Sequence, residues 1–329
     1  MENYTTVKKM ADALYGDILL CKDTSGKEVA VKRMDCDCAT RKTTQKGSQR
    51  ILEDAALEWK VNKVLSAHGG HHHVLRMQDS FEEDNKLHLV FDYCSKGDLF
   101  DIMQQKGKGL SERRALKYTH QILLGLEHMH RNGVAHRDLS LENVLVNDND
   151  ECQVCDFGLV ASIPSVRSEC VGKLFYMAPE VVESMQHNLS KANSWSLGII
   201  LFILISGHPS FSEASQHDQG FQVVMEYGVE RLVHMWRMGS CMSPETLDLL
   251  TRLLKINPSK RSTISAALSH PAFKGTSMKE ATTQKVQAIV DSFKEECLAE
   301  ESYMDKELNC VTHHRLQNPY QSLWHSSVF

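Results

Sequence analysis

Residues 136–158 open with His136-Arg137-Asp138-Leu139-Ser140-Leu141-Glu142-Asn143, continue through Val144-Leu145-Val146, and close on Asp156-Phe157-Gly158. The apolar run has strand composition, so the polar clusters on either side of it fall on closely spaced loops. Two acids and an amide held this way can divide a task. One carboxylate can be aimed at an incoming hydroxyl. The other, with the amide, can hold metal ions on a nucleotide's phosphates.

The bulk of the chain sets loose bounds around that stretch. Its 329 residues are enough for about two lobes with a sizeable core. A hydrophobic content of 42% and a charged content of 24% are ordinary for a globular protein. The net charge of -5 gives no reason to expect nucleic acid or an anionic membrane as partner. The start, Met1-Glu2-Asn3-Tyr4, has no apolar leader core. The most apolar run, Leu197 to Ile205, is about half of a membrane span and reads as a buried helix. The ten cysteines lack the dense spacing of a disulfide scaffold. Packing is therefore expected for Cys36, Cys38, Cys152 and Cys155, with a cytoplasmic location and the nucleus left open. His71-His72-His73 reads as a solvated loop.

Outward from the central stretch, residues 1 to about 34 read as three strands, the last ending Val29-Ala30-Val31-Lys32. Alternation puts Ala30 and Lys32 on one face. A lysine on a buried face needs a partner, because an unpaired ammonium there is costly. Residues 35–49 are polar and read as a loop. From Arg50 to Ala67, Ile51, Ala55, Leu57, Val61, Val64 and Leu65 recur at helical spacing. Two strands are expected around 74–81 and 87–91, a long helix over 111–131, and a further helix where Val286, Ile289, Val290, Phe293 and Cys297 form an apolar stripe.

Taken together, H-R-D-L-x-x-x-N, D-F-G, V-A-V-K, Ala178-Pro179-Glu180 and Arg261 resemble the eukaryotic protein kinase family, of the serine/threonine type, over about residues 7–273. The resemblance implies an α+β, bilobal fold. A small β-rich lobe with one main helix would occupy about 1–92, a larger, mostly helical lobe about 95–275, and a helical extension and tail 276–329. It implies ATP and Mg²⁺, protein substrates with serine or threonine hydroxyls, and phosphoryl transfer. Lys32 would position the phosphates, with Glu58 as its partner. Glu53 is the second candidate for that partnership, and an ordinary solvated glutamate is open for either. Asp138 would orient the hydroxyl and accept its proton; Asn143 and Asp156 would bind the metal. The nucleotide would lie among Ala11, Gly16, Ile18, Ala30, Lys32, Asp92, Cys94, Asp98, Leu145 and Asp156. Asp98 would reach the ribose, although Lys96-Gly97-Asp98 is equally a helix start. Arg137 would pair with a phosphorylated loop, making Ser162, Ser165 and Ser168 candidate targets of an activating kinase.

Four departures stand out. Ala11-Asp12-Ala13-Leu14-Tyr15-Gly16 replaces the glycine-rich G-x-G-x-x-G, and alanine resists positive φ. Ser140 stands where the family carries a lysine beside the catalytic acid. Lys173, after Gly172, stands where it carries a threonine. Asn193 replaces an aspartate that holds the catalytic loop. In the family the positions of Ser140 and Lys173 lie side by side, so an exchange of amine and hydroxyl is expected, with two independent losses as the alternative. The active enzyme is weighed against a pseudokinase, a binding or scaffold module with weak or no catalysis.

Overall fold

A computed structural model describes residues 1–44 and 51–274. The stripe over 286–297 lies outside the described residues, as do the rest of the tail and Arg50.

The small lobe is built on five antiparallel strands: β1 (Tyr4–Ala13), β2 (Gly16–Asp23), β3 (Glu28–Asp35), β4 (Met77–Glu83) and β5 (Lys86–Asp92). They lie in the order β1-β2-β3-β5-β4. The hairpin β1–β2 keeps its ladder to the tip, where Ala13 faces Gly16 and only Leu14 and Tyr15 form the turn. Gly16 is required there, because a Cβ would stand 2.0 Å from the Arg33 carbonyl oxygen. Two helices complete the lobe, α1 (Cys36–Arg41) and α2 (Ala55–Leu65). The first corrects the expectation of a loop over 35–49 at its start, residues 45–49 lying outside the described residues. It is a short helix whose N-cap, Asp35, accepts from the Cys38 amide. The second begins later than the apolar spacing suggested, because Asp54 takes up the cap and accepts from the Leu57 amide at 3.0 Å.

The larger lobe starts with α3 (Leu99–Lys106) and α4 (Glu112–Arg131). Short strands follow: β6 (Val134–Ala135), β7 (Val144–Val146), β8 (Cys152–Val154), β9 (Ala161–Ser162) and β10 (Val166–Arg167). Then come α5 (Pro179–Val182), β11 (His187–Asn188), α6 (Leu189–Ser206), α7 (Gln219–Tyr227), α8 (Val229–Met235), α9 (Pro244–Leu253) and α10 (Ile264–Leu268). Helix α6 begins at Leu189, ahead of the apolar run at Leu197, so Asn193 lies within it. It is buried almost all round and forms the axis of one core with α4 and α9. The described cysteines are free thiols. His73 departs from the expected solvated loop: it is buried, its Nδ1 3.0 Å from the Cys152 carbonyl oxygen. Beside it, His71 stacks on His128.

The antiparallel pairing of β7 with β8 returns the chain past itself, with Val144 opposite Val154. That hairpin brings the loop before β7 and the loop after β8 to the same edge, facing β3 of the small lobe. The large apolar core beneath fixes both loops.

Candidate active site

Lys32 leaves β3 opposite Ile18 of β2 and Leu89 of β5. Its Nζ lies 2.7 Å from Glu58 Oε1 of α2 and 3.4 Å from Asp156 Oδ1. Burial pulls the ammonium down, but Asp156, Glu58 and Glu53 outweigh it and hold Lys32 well above the usual lysine range. Burial likewise raises Asp156, while Lys32, His136 and Lys173 bring it below the usual carboxylate range. Asp156 sits at φ 64°, a left-handed conformation that turns its carboxylate out of the chain path. Phe157 beneath it is buried, edge-on to His136.

Glu53 does not pair with Lys32. It packs on Gly158, where a Cβ would stand 2.9 Å from its Oε2. Burial and the neighbouring Asp156 push its carboxyl up to about 7. Asn62, one turn beyond Glu58, is also buried, and its amide donates back to the Glu58 carbonyl at 2.9 Å.

In the central loop, His136 is buried and its Nε2 lies 2.9 Å from the Cys155 carbonyl oxygen, tying one polar cluster to the other. Asn143 donates to the Asp138 carbonyl at 2.7 Å and to Asp138 Oδ2 at 2.9 Å. Its two N–H groups thus face Asp138, leaving the amide oxygen as an acceptor. The Arg137 amide donates to Asn193 Oδ1 at 3.3 Å, so asparagine keeps the tether to this loop without a charge.

Lys173 and Ser140 meet at the same acid. The Lys173 amide donates to Asp138 Oδ1 at 2.9 Å; its Nζ lies 3.0 Å from Ser140 Oγ and 3.4 Å from Asp138 Oδ2. Burial pulls the ammonium down, but Asp138 and Glu142 outweigh it and raise it above an ordinary lysine. Gly172, at φ 105°, makes the approach possible: a Cβ would stand 2.6 Å from the Arg137 carbonyl oxygen.

Of the residues expected around a nucleotide, Ala11, Gly16, Ile18 and Ala30 lie on β1–β3 of the small lobe, Asp92 ends β5, and Leu145 lies on β7 of the larger lobe. Ala11 pairs with Ile18, and Ala30 with Phe91. Ala30, Phe91, Cys94 and Leu145 belong to one apolar cluster. Burial pushes the Cys94 thiol up to about 12. Asp92 ends β5 and accepts from Lys27 Nζ at 2.9 Å. Asp98 caps α3, accepting from the Asp101 amide at 2.8 Å, and bridges to Leu145. Burial moves its carboxyl up to about 6.

Two ion pairs frame the segment after Asp156. Glu180 and Arg261 are buried and bidentate, at 2.6 and 2.8 Å. Arg137 Nη2 donates to Glu169 Oε2 at 3.1 Å. In this unphosphorylated chain Arg137 meets a carboxylate already in the sequence, and Ser165 Oγ donates back to the Ser162 carbonyl. Sequence reading missed Glu169, whose contact with Arg137 exists only once the segment after Gly158 has folded back. It also missed Tyr15, the one aromatic residue at the hairpin tip.

Residues 4–273 match the model of the protein kinase domain. The chain is 34% identical over 275 residues to calcium-dependent protein kinase 4 of Solanum tuberosum, covering 82% of this chain and 46% of that one. It is 27% identical over 266 residues to an Aurora kinase of Schizosaccharomyces pombe, covering 80% of this chain and 69% of the relative. To NUAK family SNF1-like kinase 2 of Homo sapiens it is 29% identical over 274 residues, covering 81% and 40%.

Proposed function

The chain belongs to the protein kinase family, and we propose that it transfers the γ-phosphate of ATP to serine and threonine hydroxyls of protein substrates. What carries the reading is one set of distances: Lys32 within 2.7 Å of Glu58 and 3.4 Å of Asp156, across the cleft from Asp138 and Asn143. A site drifting away from catalysis has no reason to keep the buried Glu58 carboxylate paired with a largely shielded ammonium, since a buried charge costs free energy unless paired. That argues against the pseudokinase alternative.

Phosphoryl transfer needs positioning and charge neutralisation more than covalent help. Asp156 and the free oxygen of Asn143 are hard donors suited to Mg²⁺, which takes a few protein oxygens and completes its shell with phosphates and water. Bound there, the metal would neutralise charge on the phosphates. Lys32 holds the inner phosphates, and Glu58 keeps Lys32 from collapsing onto Asp156. The Lys173 amide at Oδ1 and the Asn143 amide at Oδ2 fix the orientation of the Asp138 carboxylate, which accepts the substrate's hydroxyl proton. Lys173 offers its ammonium where the γ-phosphate arrives, and Ser140 orients that ammonium through the 3.0 Å contact. The exchange of amine and hydroxyl keeps the composition of the site.

Glu169 supports activity without an activating kinase: a carboxylate already holds Arg137, which is continuous with Asp138. Phosphorylation at Ser168 would add charge to a position that is already acidic. The test is phosphorylation of a serine/threonine peptide library with Mg·ATP by the wild type and by Asp138→Asn. The wild type incorporates phosphate and the variant loses most of the rate; equal rates would refute the assignment.

A further inference from the structure

The glycines that let a nucleotide-binding loop flex are missing, and the structure puts something else in their place. The β1–β2 hairpin is paired to its tip, and Tyr15 does not point to solvent. It is 3% exposed, while its neighbour Leu14 is 38% exposed. The Tyr15 ring joins Met34, Cys38, Ile51 and Ala55 in one apolar cluster, reaching from β3 to the start of α2. Its hydroxyl donates to the Glu53 carbonyl at 2.6 Å. Its own carbonyl accepts from the Asp35 amide at 2.9 Å.

Residues 51–54 therefore stand at a junction. Through Glu53 they hold the hairpin tip. Through the Asp54 amide, which donates to the Gly158 carbonyl at 2.9 Å, they hold the loop of Asp156. Through the Asp54 side chain they cap α2, which carries Glu58. Lys42 braces the strap from outside, its Nζ 2.9 Å from Asp54 Oδ2 and its carbonyl accepting from the Ile51 amide at 2.8 Å. Three parts of the nucleotide site thus meet on four residues, and Tyr15 is the side chain that closes the junction.

We infer that Tyr15 is a positioning residue: it clasps the hairpin over the nucleotide site to the leading segment of α2, holding Lys32, Glu58 and Asp156 assembled before nucleotide arrives. A flexible glycine-rich loop closes on its ligand; this hairpin is closed onto α2 by a buried phenol. The clasp moves order from the bound state into the free one, so nucleotide need not supply it. It also gives the unusual alanines a context, since a hairpin fastened at its tip needs no left-handed backbone at Ala11 or Ala13. This inference rests on the kinase reading for its consequence, but its structural content does not.

The experiment is amide hydrogen exchange of the nucleotide-free full chain, with kinetics alongside. Tyr15→Phe keeps the ring and removes only the hydrogen bond, so it avoids the cavity that Tyr15→Ala would leave. Exchange in α2 is expected to accelerate about fivefold, the effect of one modest hydrogen bond. Saturating Mg·ADP should erase the difference, and α6 should be untouched. The KM for ATP should rise several-fold, with kcat at saturation within twofold of wild type. Met225→Ala, at an exposed position of α7, should change neither. Exchange in α2 equal to wild type would overturn the inference, as would acceleration spread equally through α6, or a fall in kcat at unchanged KM. A wild type that takes up no nucleotide would count against the kinase reading alone, since exchange in the nucleotide-free chain still reads the clasp.

Discussion

Lys173 Nζ lies 3.0 Å from Ser140 Oγ, on two segments 33 positions apart that converge on the carboxylate of Asp138. An amine expected on one side of the catalytic acid thus arrives from the other. Either residue alone reads as a loss; together they set an ammonium and a hydroxyl 3.0 Å apart beside the acid. An ammonium aimed at developing phosphate charge typically contributes about 100-fold or more to the rate. Lys173→Ala should therefore lower kcat by about that factor, and Ser140→Lys with Lys173→Thr should recover much of it. Peptide phosphorylation rates at saturating ATP are the check, and a fully active Lys173→Ala would end the exchange account.

The pair Arg137–Glu169 makes a second prediction. Wild-type protein treated with phosphatase should keep its activity, as should the triple variant with Ser162, Ser165 and Ser168 changed to alanine. Glu169→Gln keeps the shape and removes the charge that Arg137 meets at 3.1 Å, so its kcat should fall about tenfold. A phosphatase-sensitive wild type would place the missing charge on a serine instead.

Glu180 and Arg261 form a buried pair, with side-chain exposures of 7% and 0%. Removing one partner strands the other charge, at a cost of about 3–5 kcal/mol. Arg261→Met or Glu180→Leu alone should unfold at clearly lower denaturant than wild type, while the double variant should recover part of the loss. Equilibrium unfolding of all four proteins gives the coupling, and additive losses would contradict it.

Glu53 gives the protein a pH signature. Its carboxyl ordinarily titrates near 4.5 and is raised to about 7 in the folded chain by burial and by Asp156. The folded state therefore binds this proton more tightly than the unfolded state does. The stability that goes with the proton is fully present below about 4.5 and is lost as pH rises through about 7. Melting temperatures of the nucleotide-free protein between those limits should fall with pH more steeply in wild type than in Glu53→Gln; parallel profiles would show that Glu53 is not the titrating group.

Much of this was readable before any coordinates. Lys32, Asp138, Asn143 and Asp156 belong to motifs whose spacing is set by strand and loop lengths, so the linear pattern carries the geometry. Glu58 could be put forward as the partner of Lys32 only through the family resemblance, with Glu53 left as second candidate, and the 2.7 Å contact selects Glu58. Glu169 could not be assigned, since its partner depends on how the segment after Gly158 folds back. The six residues of α1 were missed because fewer than two turns leave no apolar period to detect. His73 looked solvated among three histidines, because its burial depends on β8 and α4, distant in sequence. The tucked Tyr15 is invisible for a similar reason. A lone aromatic at a hairpin tip carries no signal of which side it faces.

The kinase reading requires Lys32, Asp138, Asp156 and Asn143 to gather around a magnesium-bound triphosphate in the cleft between the lobes. Calorimetric titration with ATP, with and without Mg²⁺, on wild type and Asp156→Asn tests it most directly. The account predicts saturable uptake by the wild type that requires the metal and is much weaker in the variant. No uptake by the wild type at millimolar Mg·ATP would contradict it.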